Sequence, residues 1–322
     1  MAVTLAQAAV LSQNDLQRGV LEVFVQTSPV LDRLPLLEIQ GNAYAYNVEA
    51  SLPGVAFRNV NEAYVESTGV VNQATEALVI LGGDADVDTF IVKTRGNLQD
   101  QRAVQTALKV KAASYRFQDA FFNNDVAAGG EAAKGFDGLK KRLTGAQVFA
   151  AGTNGLPIVG NGTTDPQAFF DQLDVLLGLV PGIGPDNGVI YANNLIQGRI
   201  RSAGRRIGGV DVVREDLTGK RVITWNGIPV LDPGSNLAGA RILPQTETQG
   251  TATGTASSVY AVKFGQDEGD GGVTGLTNGG VDVRDLGEIQ SQPVFRTRIE
   301  FFCGVAVFGG TAAARMTGVL NA

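Results

Sequence analysis

The clearest hydrophobic pattern in the chain is helical and covers residues 97–123, NLQDQRAVQTALKVKAASYRFQDAFFN. Neither Gly nor Pro interrupts this stretch, and Asn97 can cap its start. The charged residues Arg102, Lys109 and Arg116 share one side. The apolar residues form two stripes, Val104, Leu108, Tyr115 and Phe122 in one and Ala103, Ala107, Val110, Phe117 and Phe121 in the other. A helix of about 26 residues is roughly 39 Å long, so we predict a strut between two packed layers.

Residues 41–69, GNAYAYNVEASLPGVAFRNVNEAYVESTG, have no helical period and predict an extended segment. Tyr44, Tyr46 and Val48 alternate as in a strand, and Pro53-Gly54 marks a bend. The chain returns in EALVILGGDADVDTFIV, where Gly82-Gly83 predicts a bulge or break. The pattern therefore predicts a long two-stranded excursion.

The aromatic side chains of this excursion need a surface to pack on. Two-stranded ribbons are marginally stable in water, and the segment carries Tyr44, Tyr46, Phe57 and Tyr64. Each buried ring removes about 150–250 Å² from water, which contributes roughly 4–6 kcal/mol by the upper-bound area rule. We therefore expect a neighbouring copy of the chain to bury these four rings.

Short elements precede the excursion. Thr4-Leu5-Ala6-Gln7 forms a capping box, a helix is predicted at about 13–27, and Ser28 can cap a turn that Pro35 ends. Elements this short cannot form a core of their own, so we expect an arm that lies on another surface.

Helices and strands alternate over about 150–235. Asp165-Pro166 starts a predicted helix, NGVIYA predicts a strand, and Asn226-Gly227 joins a predicted hairpin. This block predicts a compact α+β domain. The strands SSVYAVKF and PVFRTRIEFFCGVAVF and a short tail, TAAARMTGVL, follow it.

Composition excludes several classes of function. The 322 residues are 44% hydrophobic and 18% charged, which is typical of a folded protein. A net charge of −6 argues against a dedicated nucleic-acid binder. The chain has no His, and its one Cys, Cys303, lies in an apolar run that predicts a buried, inert thiol. No apolar span of about 18 residues occurs, so we expect no membrane partner.

The short motifs favour structural interpretations over chemical ones. Asp84, Asp86 and Asp88 imitate a calcium loop, but Thr89 replaces the required Gly and Arg95 the required Glu. GIGPDNG predicts a turn and GQDEGDGG an acidic surface loop. The triplet at 161–163 matches a glycosylation acceptor without a secretory signal. No catalytic, cofactor-binding or metal-binding residue is predicted, so we expect a protein that is not an enzyme.

Two clusters of basic residues remain. The denser is Arg199, Arg201, Arg205 and Arg206, and the second is Lys140, Lys141 and Arg142. Either cluster can meet phosphate or an acidic neighbour. A salt-bridged contact between subunits is the favoured interpretation, because one short cluster in an acidic protein does not make a nucleic-acid surface.

The order of these parts resembles the major capsid proteins of tailed bacteriophages, whose fold also builds encapsulins and herpesvirus capsid floors. Three stretches carry the resemblance: residues 41–69, FDGLKKRL after the long helix, and RTRIEFFCGVAVFGGTAAARMTGV. The resemblance implies an α+β fold with an N-terminal arm (1–40) and an extended loop (41–80). It implies a peripheral domain (81–149 and 236–322) that holds the spine helix (about 97–123), and a compact axial domain (150–235, extending into part of 236–290).

The resemblance also implies a function. Hexamers and pentamers of the chain would form an icosahedral shell in the virion, assembled in the host cytoplasm, that encloses double-stranded DNA without sequence-specific binding. A portal, a separate scaffolding protein and a decoration protein are the expected partners. The scaffolding protein is expected to be separate because the chain starts almost at the arm, unless an extension was removed during maturation. Some relatives cross-link a Lys of the loop to a neighbouring Asn. Here the first Lys is Lys93, so we expect no covalent link from the loop.

Candidate contacts between subunits come from the loop, the far side of the spine helix and the denser basic cluster. They are Tyr44, Tyr46, Phe57, Arg58, Glu62, Tyr64, Glu66, Arg102, Lys109, Arg116, Arg199, Arg201, Arg205 and Arg206. Arg58 can instead pair within its own loop. The alternatives are an encapsulin shell and, in a different class, an acidic hydrolase or carbohydrate-binding β protein.

Overall fold

The structure is a computed structural model that describes residues 3–4, 28–95, 101–160, 164–207, 213–215 and 221–322. Most of the capping box at 4–7, the helix predicted at 13–27, the cap at Asn97 and the triplet at 161–163 lie outside the described residues. The described helices are α1 (Thr89–Arg95), α2 (Gln101–Asn123), α3 (Leu139–Arg142), α4 (Thr164–Gly178) and α5 (Asn194–Ile207). In that described part of the chain, no helix is long and apolar enough to cross a membrane.

The described strands are numbered in chain order. They are β1 (Val3–Thr4), β2 (Pro35–Glu38), β3 (Ala43–Ser51), β4 (Val70–Ala77), β5 (Val79–Asp88), β6 (Val148–Ala150), β7 (Leu156–Pro157), β8 (Gly188–Tyr191), β9 (Val213–Glu215), β10 (Arg221–Trp225), β11 (Ile228–Leu231), β12 (Glu247–Gln249), β13 (Ala252–Lys263), β14 (Val273–Glu288), β15 (Val294–Val307) and β16 (Ala313–Leu320).

A five-stranded sheet in the order β1-β2-β14-β15-β5 carries the long helix α2. Alternate residues of β15 point to opposite faces of the sheet. Phe301 and Cys303 are buried on the helix side, where the rings of Phe117 and Phe301 lie 6.0 Å apart. The other face is polar and pairs Arg296 and Arg298 with carboxylates of β5.

A second sheet has nine strands, in the order β6-β16-β13-β8-β11-β10-β9 with β7 beside β16 and β12 beside β13. One of its faces meets the end of α2, where the ring of Phe122 packs edge-on against Tyr191 and Tyr260 with centroids 5.2 and 5.4 Å apart. Its other face packs on α4 and α5 through residues such as Ile190 and Ala261. The helix α2 therefore joins the two sheets, as the strut prediction requires.

The predicted burial of α2 is only partly right. Val110, Phe117, Phe121 and Phe122 are buried, but Leu108 is exposed, as are Ala103 and Ala107. The N-terminal half of the helix therefore has one buried face and not two apolar seams, because the sheet covers it from one side only.

Two further predictions are wrong. β5 runs through Gly82-Gly83 with an unbroken register against β15, so there is no bulge or break. A Cβ on Gly82 would lie 2.3 Å from the carbonyl oxygen of Ile299, and one on Gly83 2.5 Å from Cε of Lys109, so these glycines permit close packing. The segment TAAARMTGVL is not a tail, because β16 lies beside β13 in the nine-stranded sheet.

Other local predictions are confirmed. Asn226 and Gly227, with φ of 50° and 79°, join β10 to β11 as the hairpin turn. The hydroxyl of Ser28 accepts a hydrogen bond from the backbone N–H of Leu31 at 3.1 Å. The turn that follows is buried, with Val30, Leu31 and Leu34 in the main core. The described end of the predicted arm therefore packs within its own chain.

Candidate assembly surface

The two strands β3 and β4 form a separate ribbon, paired from Ala43–Ala77 to Ser51–Val70. Residues 52–69 connect the far ends of these strands; we call them the loop tip. The near ends, Ala43–Val48 and Asn72–Ala77, are the ribbon base.

The ribbon base packs on its own chain. The side chain of Tyr46 is 7% exposed, and its ring meets Phe308 edge-on with centroids 4.9 Å apart. Tyr44 is half-buried against the same Phe308 ring at 6.0 Å. The prediction that a neighbouring copy buries Tyr46 is therefore wrong. The sequence shows only that the ring needs cover, and the segment after β15 supplies it.

An ion pair fixes the ribbon base to the segment that follows α2. The guanidinium of Arg142, on α3, binds both carboxylate oxygens of Glu76, and the Nη2–Oε2 distance is 2.7 Å. Its Nε donates to the carbonyl of Asp137 at 2.6 Å. Both side chains are largely buried, at 15% and 19% exposure. Burial, reinforced by the nearby Glu76 carboxylate, raises the pKa of Tyr46. Arg142 is thus an internal anchor, not a free member of a basic cluster.

The loop tip is exposed to solvent along its whole length. Phe57 is fully exposed and Tyr64 is 69% exposed. Four further apolar side chains are between 78% and 95% exposed, namely Leu52, Val55, Val60 and Val65. This concentration of exposed apolar side chains in one loop is typical of an interaction surface.

The polar residues of the loop tip bind one another. Arg58 donates to the backbone carbonyls of Asn59 and Glu62, at 3.4 and 3.3 Å, and its guanidinium lies 5.1 Å from the ring centre of Tyr64. The backbone N–H of Asn59 donates to Glu62 at 2.9 Å. The structure thus brings Arg58, Glu62 and Tyr64 together within one loop, while Glu66 remains exposed.

The charged side of α2 also has partners in its own chain. Arg102 binds Asp285 at 2.6 Å, lowering the pKa of that carboxyl, and it lies over the ring of Phe295. Arg116 is 3.8 Å from Asp119, and the stem of Lys109 covers Gly83. These residues remain candidates for contacts between subunits, although Arg102 and Arg116 already have acidic partners within the chain.

The helix α5 presents the dense cluster of arginines. Arg199 donates to the side chain of Asn321 at 3.1 Å, and Arg206 to the carbonyls of Val159 and Gly160 at 3.3 and 3.2 Å. Arg201 and Arg205 are exposed, and neither has a hydrogen bond or an ion pair among the described residues.

The acidic motifs have structural roles. Arg298 binds both oxygens of Asp84, and Arg296 both oxygens of Asp86, at 2.6–2.9 Å. These hydrogen bonds lower the pKa of both carboxyls. The period-2 spacing placed the carboxylates on one strand face as predicted, but their Arg partners lie about 210 residues further on and no local signal indicated them.

The acidic loop and the cysteine also have structural explanations. In the loop GQDEGDGG, Asp267 accepts from the backbone N–H groups of Gly269 and Asp270. Cys303 is 1% exposed, so the thiol is buried as predicted, and this burial raises its pKa. Within the described part of the chain, no group of three acidic or Cys side chains could hold a metal ion.

Comparisons with known proteins concern the family and the fold. Residues 12–168 match the family described as major capsid protein GP7. No curated protein matches the chain. Among solved structures, the holo-SrpI encapsulin complex of Synechococcus elongatus is similar with a TM-score of 0.64 at 18% identity, over 91% of this chain and 87% of that one.

Two further solved structures are similar as well. The capsid of a native GTA particle gives a TM-score of 0.63 at 13% identity, covering 91% of this chain and 90% of the other. A structure from Mycobacterium phage Bobi gives 0.58 at 13% identity, covering 90% and 89%. The chain therefore has the fold shared by phage capsid proteins and encapsulins. It resembles the major capsid proteins of tailed phages. The fold and the family match together point to a structural role in a protein shell.

Proposed function

We propose that this chain assembles into the hexamers and pentamers of an icosahedral capsid that encloses the double-stranded DNA of a tailed phage. The observation that carries the proposal is the exposed loop tip, where Phe57 has no cover from its own chain. In a shell, the loop tip lies across the adjacent subunit, which buries the apolar side chains that the isolated chain leaves in water.

Energetics support this arrangement. Burying one large apolar side chain contributes about 1.5–3 kcal/mol, and the loop tip offers several of them. A contact between two different surfaces of identical copies is heterologous, and such contacts close into rings when the rotation permits. Each copy then has several partners at once, so that no single contact has to be strong.

The acidic character of the chain fits a container for DNA. With a net charge of −6, the protein does not attract phosphate strongly, so packaged DNA is enclosed and not bound by sequence. Assembly in the host cytoplasm with a portal, a separate scaffolding protein and a decoration protein, and a final location in the virion, belong to the same proposal.

A second candidate is an encapsulin-type compartment, which the similarity to the SrpI encapsulin favours. Both candidates use the same contacts between copies and differ in what the shell encloses.

Electron microscopy of the purified full chain tests the proposal. We expect closed polyhedral particles, and nuclease-protected DNA inside those isolated from infected cells. Closed particles that hold a cargo protein and no DNA would favour the encapsulin alternative. A monodisperse monomer or small oligomer under all assembly conditions would contradict both, in favour of the hydrolase or carbohydrate-binding alternative.

A further inference from the structure

The helices α4 and α5 carry opposite charges. α4 contains Asp165, Asp171 and Asp174 and no Lys or Arg, whereas α5 contains four Arg and no Asp or Glu. Both helices pack on the same face of the nine-stranded sheet, through a shared core that includes Phe169 and Ile200. The outer layer of this part of the molecule thus has an acidic side and a basic side.

The exposed residues of each helix form a stripe. On α5, Asn194, Gly198, Arg201 and Arg205 follow helical spacing and are all exposed; we call them the basic stripe. On α4, the exposed residues with the same kind of spacing are Gln167, Asp171, Asp174, Val175 and Gly178; we call them the acidic stripe.

The two stripes do not neutralise each other within one chain. Every ion pair found among the described residues lies elsewhere in the molecule. Asp171 is exposed without a hydrogen-bond partner in that part of the chain. One oxygen of Asp174 accepts from the side chains of Trp225 and Asn226, at 2.7 and 3.2 Å, which holds the carboxylate at the surface.

A glycine in the basic stripe gives independent support. Gly198 lies inside α5, where Gly is less favourable than Ala by about 1 kcal/mol. A Cβ on Gly198 would have nothing within 4 Å, so no contact within the chain requires a glycine here. A small residue on an exposed helix face does allow another backbone or side chain to approach closely. Val175, which is 49% exposed in the acidic stripe, is an apolar side chain that such an approach would cover.

We propose that the basic stripe of one copy binds the acidic stripe of the next copy, as a head-to-tail contact within a ring. This inference rests on the proposed shell function and names a second contact, independent of the loop tip. The charges are complementary, and the two stripes are different surfaces of one subunit, so the contact is heterologous and repeats around the ring. A polyanion is the less suitable partner, because the acidic stripe beside α5 repels phosphate.

Charge reversal in the full-length chain tests the contact. We expect Arg201→Glu with Arg205→Glu to lower the yield of closed particles by about tenfold or more, because the repulsion recurs at every contact around a ring. Asp171→Lys alone is expected to lower the yield less. Combining all three substitutions in one chain brings the net charge of the acidic stripe from −2 to zero, because Asp174 remains, and so removes the net repulsion across the contact. We therefore expect partial recovery of the lost yield. The matched control is Lys93→Glu with Lys134→Glu, two exposed residues outside the stripes and outside both basic clusters that change the net charge equally.

Gly198→Leu separates assembly from folding. Leu is the better helix former and has open space in the isolated chain, so the thermal unfolding midpoint of the unassembled protein is expected to rise. Assembly is expected to fall, because the side chain occupies the space that the neighbouring copy needs.

Three results would overturn the inference. One is a wild-type particle yield for the double Arg variant, and another is a failure of the triple variant to recover. The third is particles of the double Arg variant that form normally but lose their nuclease-protected DNA, which would assign the basic stripe to nucleic acid. If the unsubstituted chain gives no closed particles, the proposed function fails, and the failure is visible before any variant is compared.

Discussion

The ribbon base and the loop tip belong to one continuous excursion and have similar side chains, yet they differ in what covers them. Tyr46 in the base is buried against Phe308, and Glu76 is held by Arg142. Phe57 and Tyr64, fewer than twenty residues away in sequence, are exposed, and the polar contacts of the tip are internal to the loop.

The difference divides the excursion into two roles. The base is part of the folded subunit and sets where the loop starts and in which direction it leaves. The tip adds little to the stability of that subunit, so its apolar side chains are available to a partner. Substitutions in the base should therefore change folding, and substitutions in the tip should change assembly.

The largest effect is expected from removal of the tip. Ser51 and Val70 are paired across the ribbon, so residues 52–69 can be replaced by Asn-Gly, which favours a tight hairpin turn. We expect a folded chain with an unchanged unfolding midpoint and no closed particles by electron microscopy. A shortened chain that forms particles at the wild-type yield would assign the tip no role in assembly.

Tyr46→Ala and Phe57→Ala compare the two regions directly. Loss of the buried Tyr46 ring is expected to lower the free energy of unfolding by about 3 kcal/mol, because it leaves a cavity against Phe308. Phe57→Ala is expected to change it by less than about 0.5 kcal/mol, because the ring contacts solvent only. Urea unfolding of the unassembled chains measures both, and equal losses would contradict the division into base and tip.

Arg142→Ala tests the anchor of the base. Removing one partner leaves the Glu76 carboxylate partly buried and unpaired, and we expect a loss of about 2 kcal/mol, below the range for fully buried pairs because water reaches both side chains. Glu76→Gln, which keeps the shape and part of the hydrogen bonding, is expected to lose less. Particles of Arg142→Ala are also expected to vary in size, since the ribbon is less firmly oriented; uniform particles of normal size would argue against an orienting role.

The smallest effect is expected on the charged face of the five-stranded sheet. Hydrogen bonds from Arg298 and Arg296 lower the pKa of Asp84 and Asp86 in the folded chain. Their contribution is therefore present above the unfolded pKa of about 3.9 and is lost as the pH falls through the lower folded pKa. Asp84→Asn with Asp86→Asn should lower stability slightly at pH 7 and flatten its fall below about pH 4. Parallel pH curves for variant and wild type would contradict this role.

Much of the fold could be predicted from local patterns. The uninterrupted run at 97–123 gave the long helix, described from Gln101, and Asn226-Gly227 gave a hairpin. These predictions depend on residues close in sequence. The strand β16 was missed, because its alternation is weak in an Ala-rich stretch and its partner β13 lies more than 50 residues earlier.

The candidate site was less predictable for the same reason. The sequence identified an apolar segment that needs cover but not the division between base and tip, because Phe308 and Arg142 come from distant parts of the chain. The bulge or break predicted at Gly82-Gly83 is wrong for a similar reason. These glycines permit the close approach of Ile299 and Lys109, and local sequence does not show such tertiary contacts.

Footprinting with hydroxyl radicals tests most directly whether a neighbouring copy covers the loop tip. The oxidation rates of Phe57, Tyr64 and Tyr46 would be compared between assembled particles and the unassembled chain. We predict strong protection of Phe57 and Tyr64 on assembly, and a low, unchanged rate for Tyr46, which its own chain already buries. Equal oxidation of Phe57 in the two states would contradict the account.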